Sequence, residues 1–274
     1  MHNFTANYEI ILKVLKQISQ ETLLSYQNRK PMLSDIEIVS IDLAAEYLGI
    51  DSECDLFRKL PPKLSANIER SVYNRRRRKL FPYLEQIRTR LSGLLNQNEN
   101  HFIMDSMPLE VCRLSRSGRS KVCRDAAHSS PSKGYCASQG THCYGYKLHA
   151  TCSLSGVFQS MDISPASVHD IHYLKDIKAQ LKDRTLIGDK GYLSAEYQMN
   201  LFETCKIRLD TPMRNNQKNY RKSRKRIETL FSQLCDQFMI RRNYAKSFEG
   251  YKTRILSKIS ALTIVQYINQ DDIQ

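Results

Sequence analysis

No apolar run in this chain approaches the roughly 18 residues needed to span a bilayer, which excludes a membrane-spanning helix. The start, MHNFTANYEIILKVLKQI, is no secretory signal either, because Lys13 and Lys16 interrupt its apolar residues. Cysteine is present eight times, yet no CxxC pair occurs. The thiols, spread from Cys54 to Cys235 in a chain able to build its own core, read as reduced side chains in a reducing cytoplasm. Cys112, Cys123, Cys136 and Cys143, with His128 and His142 among them, match the spacing of no common zinc module. Acidic residues are outnumbered by basic ones. Asp and Glu total 28 against 42 Lys and Arg, a formal net charge of +14 and a pI near 9.4. Such an excess excludes a polyanion-averse surface and points to nucleic acid first, an anionic membrane surface second.

What is present is a chain of 274 residues, 41% hydrophobic, enough for one large domain or two ordinary ones. The first hundred residues read as helices. Ile10, Ile11, Val14, Leu15 and Ile18 share a helical face, and Ser34 with Glu37 forms a capping-box pattern before a helix that Gly49 can stop. After Pro61-Pro62 a helix from about Ser65 carries Arg75, Arg76, Arg77, Arg78 and Lys79. Short helices ending in a basic one suit a helix-turn-helix DNA-binding module over 1–98, although a solvated helix face would look the same. The polar stretch NQNEN (96–100) marks the predicted boundary with a second domain over 99–274.

From His101 the pattern changes. HFIMDSMPLEV predicts a strand, and residues 113–139, rich in Arg, Ser, Lys and Cys, predict a long loop. YGYKLHATCSL and GVFQSMDIS predict two strands around a turn at Ser155-Gly156, followed by a helix over 168–182. TLIGDKGY is a strand entering a glycine turn, SAEYQMNLFETC a helix, KIRLDTP a short strand; two helices follow, one basic from about Arg221 and one spanning TRILSKISALTIVQYI. The order β-β-β-α-β-α-β-α-α predicts an α/β fold with a mixed sheet flanked by helices, preceded by the all-helical region. No internal repeat is visible.

Three carboxylates stand out. Asp105 closes the run HFIMD, Asp189 closes TLIGD, and Glu228 sits in the basic helix beside the predicted buried stripe Ile227, Leu230, Phe231, Leu234 and Phe238. Acids at the ends of buried strands are held in direction by the sheet while the loop beyond leaves room for substrate. Gly188 and Gly191 allow close approach of a backbone or phosphate near Asp189. Together the three acids form a candidate divalent-metal cage, and the charge of the chain makes a phosphodiester its expected substrate. An i, i+4 ion pair between Arg224 and Glu228 is the plain alternative. Lys147 and His149 alternate on one strand face and could approach a scissile phosphate or simply line a surface strand. Lys190, Arg221 and Arg224 are further candidate phosphate contacts, the arginines because guanidinium binds phosphate bidentately. His169-Asp170 reads as a cap for the helix that follows.

These residues carry a resemblance. MDSMPL around Asp105, YGYKLH at 144–149, SPASVHD at 164–170, IGDKGY around Asp189 and the R-x3-E of Arg224 and Glu228 resemble the DDE transposases of bacterial insertion sequences, which have an RNase H-like catalytic core. LSDIEIVSIDLAAEYLGI is similar to the helical domain that precedes the core in one branch of them. One departure is clear. Many relatives have a tyrosine three residues before the motif arginine and a lysine or arginine seven after the glutamate; here Tyr220 is four before, and Cys235 takes the later position.

The resemblance implies Mg²⁺, with Mn²⁺ able to substitute, as two ions bridged by Asp105 and completed by Asp189 and Glu228. It implies cleavage of element ends by water, then attack of the freed 3′-OH on target DNA. A homodimer on double-stranded DNA, no membrane partner, and a bacterial cytoplasmic protein associated with the nucleoid when bound are the further expectations. An inactive DNA-binding repressor or remnant, and a nuclease that cuts without joining, stay open.

Overall fold

The computed structural model describes residues 3–19, 30–136, 140–211 and 217–271, the side chains of 217–223 excepted. The chain forms two compact units: Met1–Leu91 with Leu234–Ala245 and Glu249–Gln274, and Ser92–Gln233 with Lys246–Phe248. No helix among the described residues is long and apolar enough to cross a membrane.

The first unit is helical. Helix α1 (Phe4–Ile18) buries Phe4, Tyr8, Ile11, Leu15 and Ile18, so its inner stripe is turned slightly from the predicted one and Ile10 is exposed. Helix α2 (Asp35–Tyr47) begins with the predicted capping box, in which the Glu37 carboxylate accepts from the Ser34 amide at 2.7 Å. It ends before Gly49, which takes φ +66°. Helices α3 (Glu53–Lys59), α4 (Pro62–Ser65), α5 (Arg70–Lys79) and α6 (Phe81–Leu95) follow.

Burial in α2 is nearly all-round and takes in Asp42 and Glu46. Acids removed from water must be paired. Arg77 of α5 does this, with Nε 2.7 Å from Asp42 and Nη2 3.2 Å from Glu46. The second supplier is the last helix described, α10 (Phe248–Asp271), whose Lys258 lies 2.5 Å and Arg254 3.3 Å from Glu46. That network explains a difference from the sequence expectation, which placed everything after residue 98 in the second domain. The last helix answers charges buried in α2, so it belongs with the N-terminal helices.

The second unit is a six-stranded mixed sheet with flanking helices. Its strands are β1 (His101–Cys112), β2 (Ser132–Cys136), β3 (Thr141–Ser153), β4 (Phe158–Pro165), β5 (Thr185–Ile187) and β6 (Arg208–Asp210). The order is β2-β3-β1-β5-β6, with β4 also paired to β3. β1, β3 and β4 form an antiparallel meander; β5 and β6 run parallel to β1. This is the expected α/β, RNase H-like arrangement: hairpin strands first, crossover strands afterwards.

β2 was not expected. It lies inside the predicted loop and pairs with the start of β3, Gly134 opposite Cys143. Five residues in a polar stretch show no periodicity of their own; the strand exists because β3 extends past the end of β4, at Tyr146 opposite Pro165, and offers an edge there. The predicted helix over 168–182 is shorter, a 3₁₀ turn at Asp170–His172 leading into α7 (Tyr173–Ile177).

Helix α7 and helix α8 (Ala195–Cys205) cover one sheet face, where Phe102, Met104, Leu186, Tyr173, Leu174 and Leu201 form the core. Strand alternation therefore sends Ile103 and Asp105 to the other face. There lies α9 (Gln217–Asp236), whose Phe231 packs against Phe158 of β4 at 6.3 Å between ring centroids.

Candidate active site

Asp105 does not end its strand; β1 continues to Cys112. What ends is the parallel ladder with β5, whose last pair is Ile103 opposite Ile187. Asp105 and Asp189 each stand two residues beyond that pair. The strands part at that point, so the two carboxylates emerge together at one edge of the sheet.

Backbone amides then fix each acid. Asp105 Oδ1 accepts from the Ser106 amide at 2.8 Å, and Asp189 Oδ1 accepts from the Gly191 amide at 2.7 Å, capping a 3₁₀ turn over Lys190–Tyr192. The remaining oxygens face one cation. Arg224 of α9 donates to Asp105 Oδ2 at 3.2 Å, and the same Nη2 lies 3.9 Å from Asp189 Oδ2. Burial is the largest influence on Asp105 and pushes its carboxyl above the ordinary range; Arg224 and the Ser106 amide pull it back, and Asp189 adds to the rise. Burial also works against the charge of Arg224, but Asp105 and Asp189 outweigh it and push its pKa up.

The glycines around Asp189 serve packing. A Cβ on Gly188 would stand 2.5 Å from the Met104 methyl, and one on Gly191 would stand 2.9 Å from Asp189 Oδ1. Tyr192, fully buried, carries a hydroxyl without a hydrogen-bond partner among the described residues. Burial, then Asp170, Asp105 and Asp189, push its pKa well up.

Other sequence candidates divide clearly. Glu228 is exposed, one turn from Arg224, and is not brought to the two aspartates. Among the described residues no three His, Cys, Asp or Glu side chains are grouped closely enough to hold a metal. The donor chemistry of Asp105 and Asp189 fits a hard divalent ion, with one carboxylate oxygen of each aimed at a single cationic position. Lys190 is exposed. The side chain of Arg221 lies outside the described residues.

Lys147 is engaged elsewhere: its ammonium lies 2.7 Å from Asp170 Oδ1 and donates to the Val168 carbonyl at 2.9 Å. His149 is a core residue, 2% exposed, stacked on Tyr173 and hydrogen-bonded to Ser164. The cationic run of α5 is likewise split. Arg75, Arg78 and Lys79 are exposed, but Arg76 turns inward to Asp35 at 2.7 Å and Arg77 to Asp42 and Glu46. The reading of five DNA contacts is corrected for those two, because a half-buried helix must turn part of any continuous run inward.

Asp170, read from the sequence only as part of a helix cap, has a further role. It accepts from the Ser106 hydroxyl at 3.0 Å as well as from Lys147, while His169, as expected, caps the turn through Ile171. Its sequence signals were its nearness to a helix start and its place at the end of the SPASVHD segment.

The mixed sheet brings two acids together where its parallel strands part. The family described as "Transposase DDE domain" matches residues 96–264, and the chain belongs to that family of transposases. No curated protein matches it. Among solved structures, a Mos1 transposase paired-end complex with left transposon end is similar at 9% identity and a TM-score of 0.26, covering 89% of this chain and 82% of that one. A superposition that loose carries no argument here.

Proposed function

We propose that this chain is the DNA transposase of an insertion sequence, which cleaves the element ends by metal-dependent hydrolysis and joins the freed 3′-OH to target DNA. The observation that carries the reading is the convergence of Asp105 and Asp189, each with one oxygen pinned by a backbone amide and the other left to a cation.

Asp105 and Asp189 would hold Mg²⁺ or Mn²⁺; Glu228, the third acid that the resemblance implies, is not grouped with them among the described residues. Bound there, such ions activate the attacking oxygen and stabilise the leaving one. The protein's own part is to hold the two aspartates rigidly: the sheet sets their spacing, and the Ser106 and Gly191 amides fix their rotation. Asp170, neutralised by Lys147, holds the Ser106 hydroxyl and so stiffens the strand beside Asp105. Arg75, Arg78, Lys79 and Lys190, all exposed, supply positive charge for double-stranded DNA, with the charge of +14 behind them. The first 98 residues would read the element ends. Two copies would hold two ends as a homodimer, on nucleoid DNA in a bacterial cytoplasm.

The test is Mg²⁺-dependent cleavage and joining of a duplex carrying the ends that flank the gene, wild type beside Asp189→Asn. Joining by wild type alone supports the proposal. Cleavage without joining makes the chain a nuclease, and end binding without cleavage by either protein makes it a DNA-binding remnant.

A further inference from the structure

We infer that Arg224 is an exchangeable counter-cation: it occupies the position between Asp105 and Asp189, and it gives that position up to a divalent ion, whereupon its guanidinium becomes available to a DNA phosphate. The inference rests on the metal-dependent reading above and adds an order to it. Metal entry and phosphate capture become one linked event.

Four observations carry it. Asp105 Oδ1 and Asp189 Oδ1 are satisfied by backbone amides, so their second oxygens are the only ones directed at a shared cation, and a single Nη2 of Arg224 serves both, at 3.2 and 3.9 Å. The two contacts are unequal, the second being long for a charge-assisted bond. One guanidinium also leaves two carboxylates with a net negative charge, which favours a divalent ion over a monovalent one. Finally, the buried Nε of Arg224 has no hydrogen-bond partner among the described residues, so the pairing with the aspartates does not use all of its donors.

Exposure makes the exchange feasible. The side chains of Arg224, Asp105 and Asp189 are 26%, 17% and 36% exposed, so the guanidinium can leave toward solvent without crossing a core. The Arg77 cluster is the contrast: there the guanidinium is 9% exposed against acids at 4% and 2%, and it is locked. Among the described residues, Glu228 on the same helix is a further charged group acting on Arg224. Linkage requires the effect to be reciprocal, so DNA that captures Arg224 raises affinity for metal and metal raises affinity for DNA.

The experiment is arginine-selective modification of the full chain with phenylglyoxal, read residue by residue by mass spectrometry across a Mn²⁺ titration. Exposed Arg75 serves as the internal reference, and Mn²⁺ binding is followed in parallel by electron paramagnetic resonance. Arg224 is expected to react slowly without Mn²⁺ and several-fold faster once Mn²⁺ is bound, with Arg75 unchanged. Arg224→Gln is expected to bind Mn²⁺ about tenfold more tightly, the factor set by losing one competing charge-assisted bond. Mn²⁺ that binds while Arg224 reactivity stays flat or falls overturns the exchange and leaves the metal reading standing. A flat Mn²⁺ titration overturns the metal reading, and the exchange with it.

Discussion

Arg224 and Asp105 are separated by 119 positions in sequence and by 3.2 Å in space. The contact joins a helix flanking the sheet to the point where β1 leaves its parallel partner. It offsets, without cancelling, the burial that raises the Asp105 carboxyl.

That imbalance gives a first prediction. A carboxyl whose folded pKa is raised binds more protons in the folded state than in the unfolded one, so its charge costs stability as pH rises through that window. Asp105→Asn removes the cost. At neutral pH the variant should unfold at the same temperature as wild type or higher, by about 1 kcal/mol in stability. DNA cleavage should fall by roughly a thousandfold or more. Calorimetry beside an end-cleavage assay measures both, and a clear loss of stability would contradict the argument.

The α5 run gives a second, because adjacent arginines have opposite roles. Arg77→Met strands the charge of Asp42 in the helical unit, while Glu46 keeps Lys258 and Arg254, and should cost about 3–5 kcal/mol in urea unfolding. Arg78→Ala should leave unfolding nearly unchanged. It should instead reduce the slope of log binding constant against log salt by about 1, if that side chain meets a phosphate. Similar effects of the two substitutions would refute the division of the run into inner and outer cations.

His149 sets a pH dependence of stability. Burial lowers its pKa from 6.5 to about 4. Between those values the unfolded chain binds the proton and the folded one does not, so stability is full above about pH 6.5 and lost as pH falls toward 4. The loss should reach roughly 3 kcal/mol and shrink in His149→Gln, as followed by chemical denaturation at several pH values. An unchanged profile in the variant would assign the acid sensitivity to other groups.

Gly145 tests the close fit of β3 on β1. A Cβ there would lie 2.2 Å from the Leu109 carbonyl oxygen, beside the irregular pairing at Glu110 to Cys112. Gly145→Ala should therefore destabilise by about 1–3 kcal/mol, the usual cost of overpacking. Gly118→Ala, with open space around it, should be neutral in the same thermal melt.

The sequence by itself determined what depends on near neighbours. The Ser34–Glu37 capping box, the stop at Gly49, the β3–β4 hairpin at Ser155-Gly156 and the buried stripe of α9 are written in spacings of two to four residues, and all are present. Asp105 and Asp189 were legible as candidates because each closes an apolar run. Tertiary structure decided the rest. Only the register of Ile103 on Ile187 puts those two acids side by side, and only the acids of α2 explain why Arg77 points in, Arg78 out, and the last helix returns to the N-terminal ones. Strand β2 waits on an edge that β3 supplies, and Lys147 is claimed by an aspartate 23 residues away. Propensity and capping are settled within a turn of helix or a pair of residues, so a single sequence shows them. Register, burial and the choice of an ion's partner are settled between distant segments, and they exist only once the chain has closed on itself.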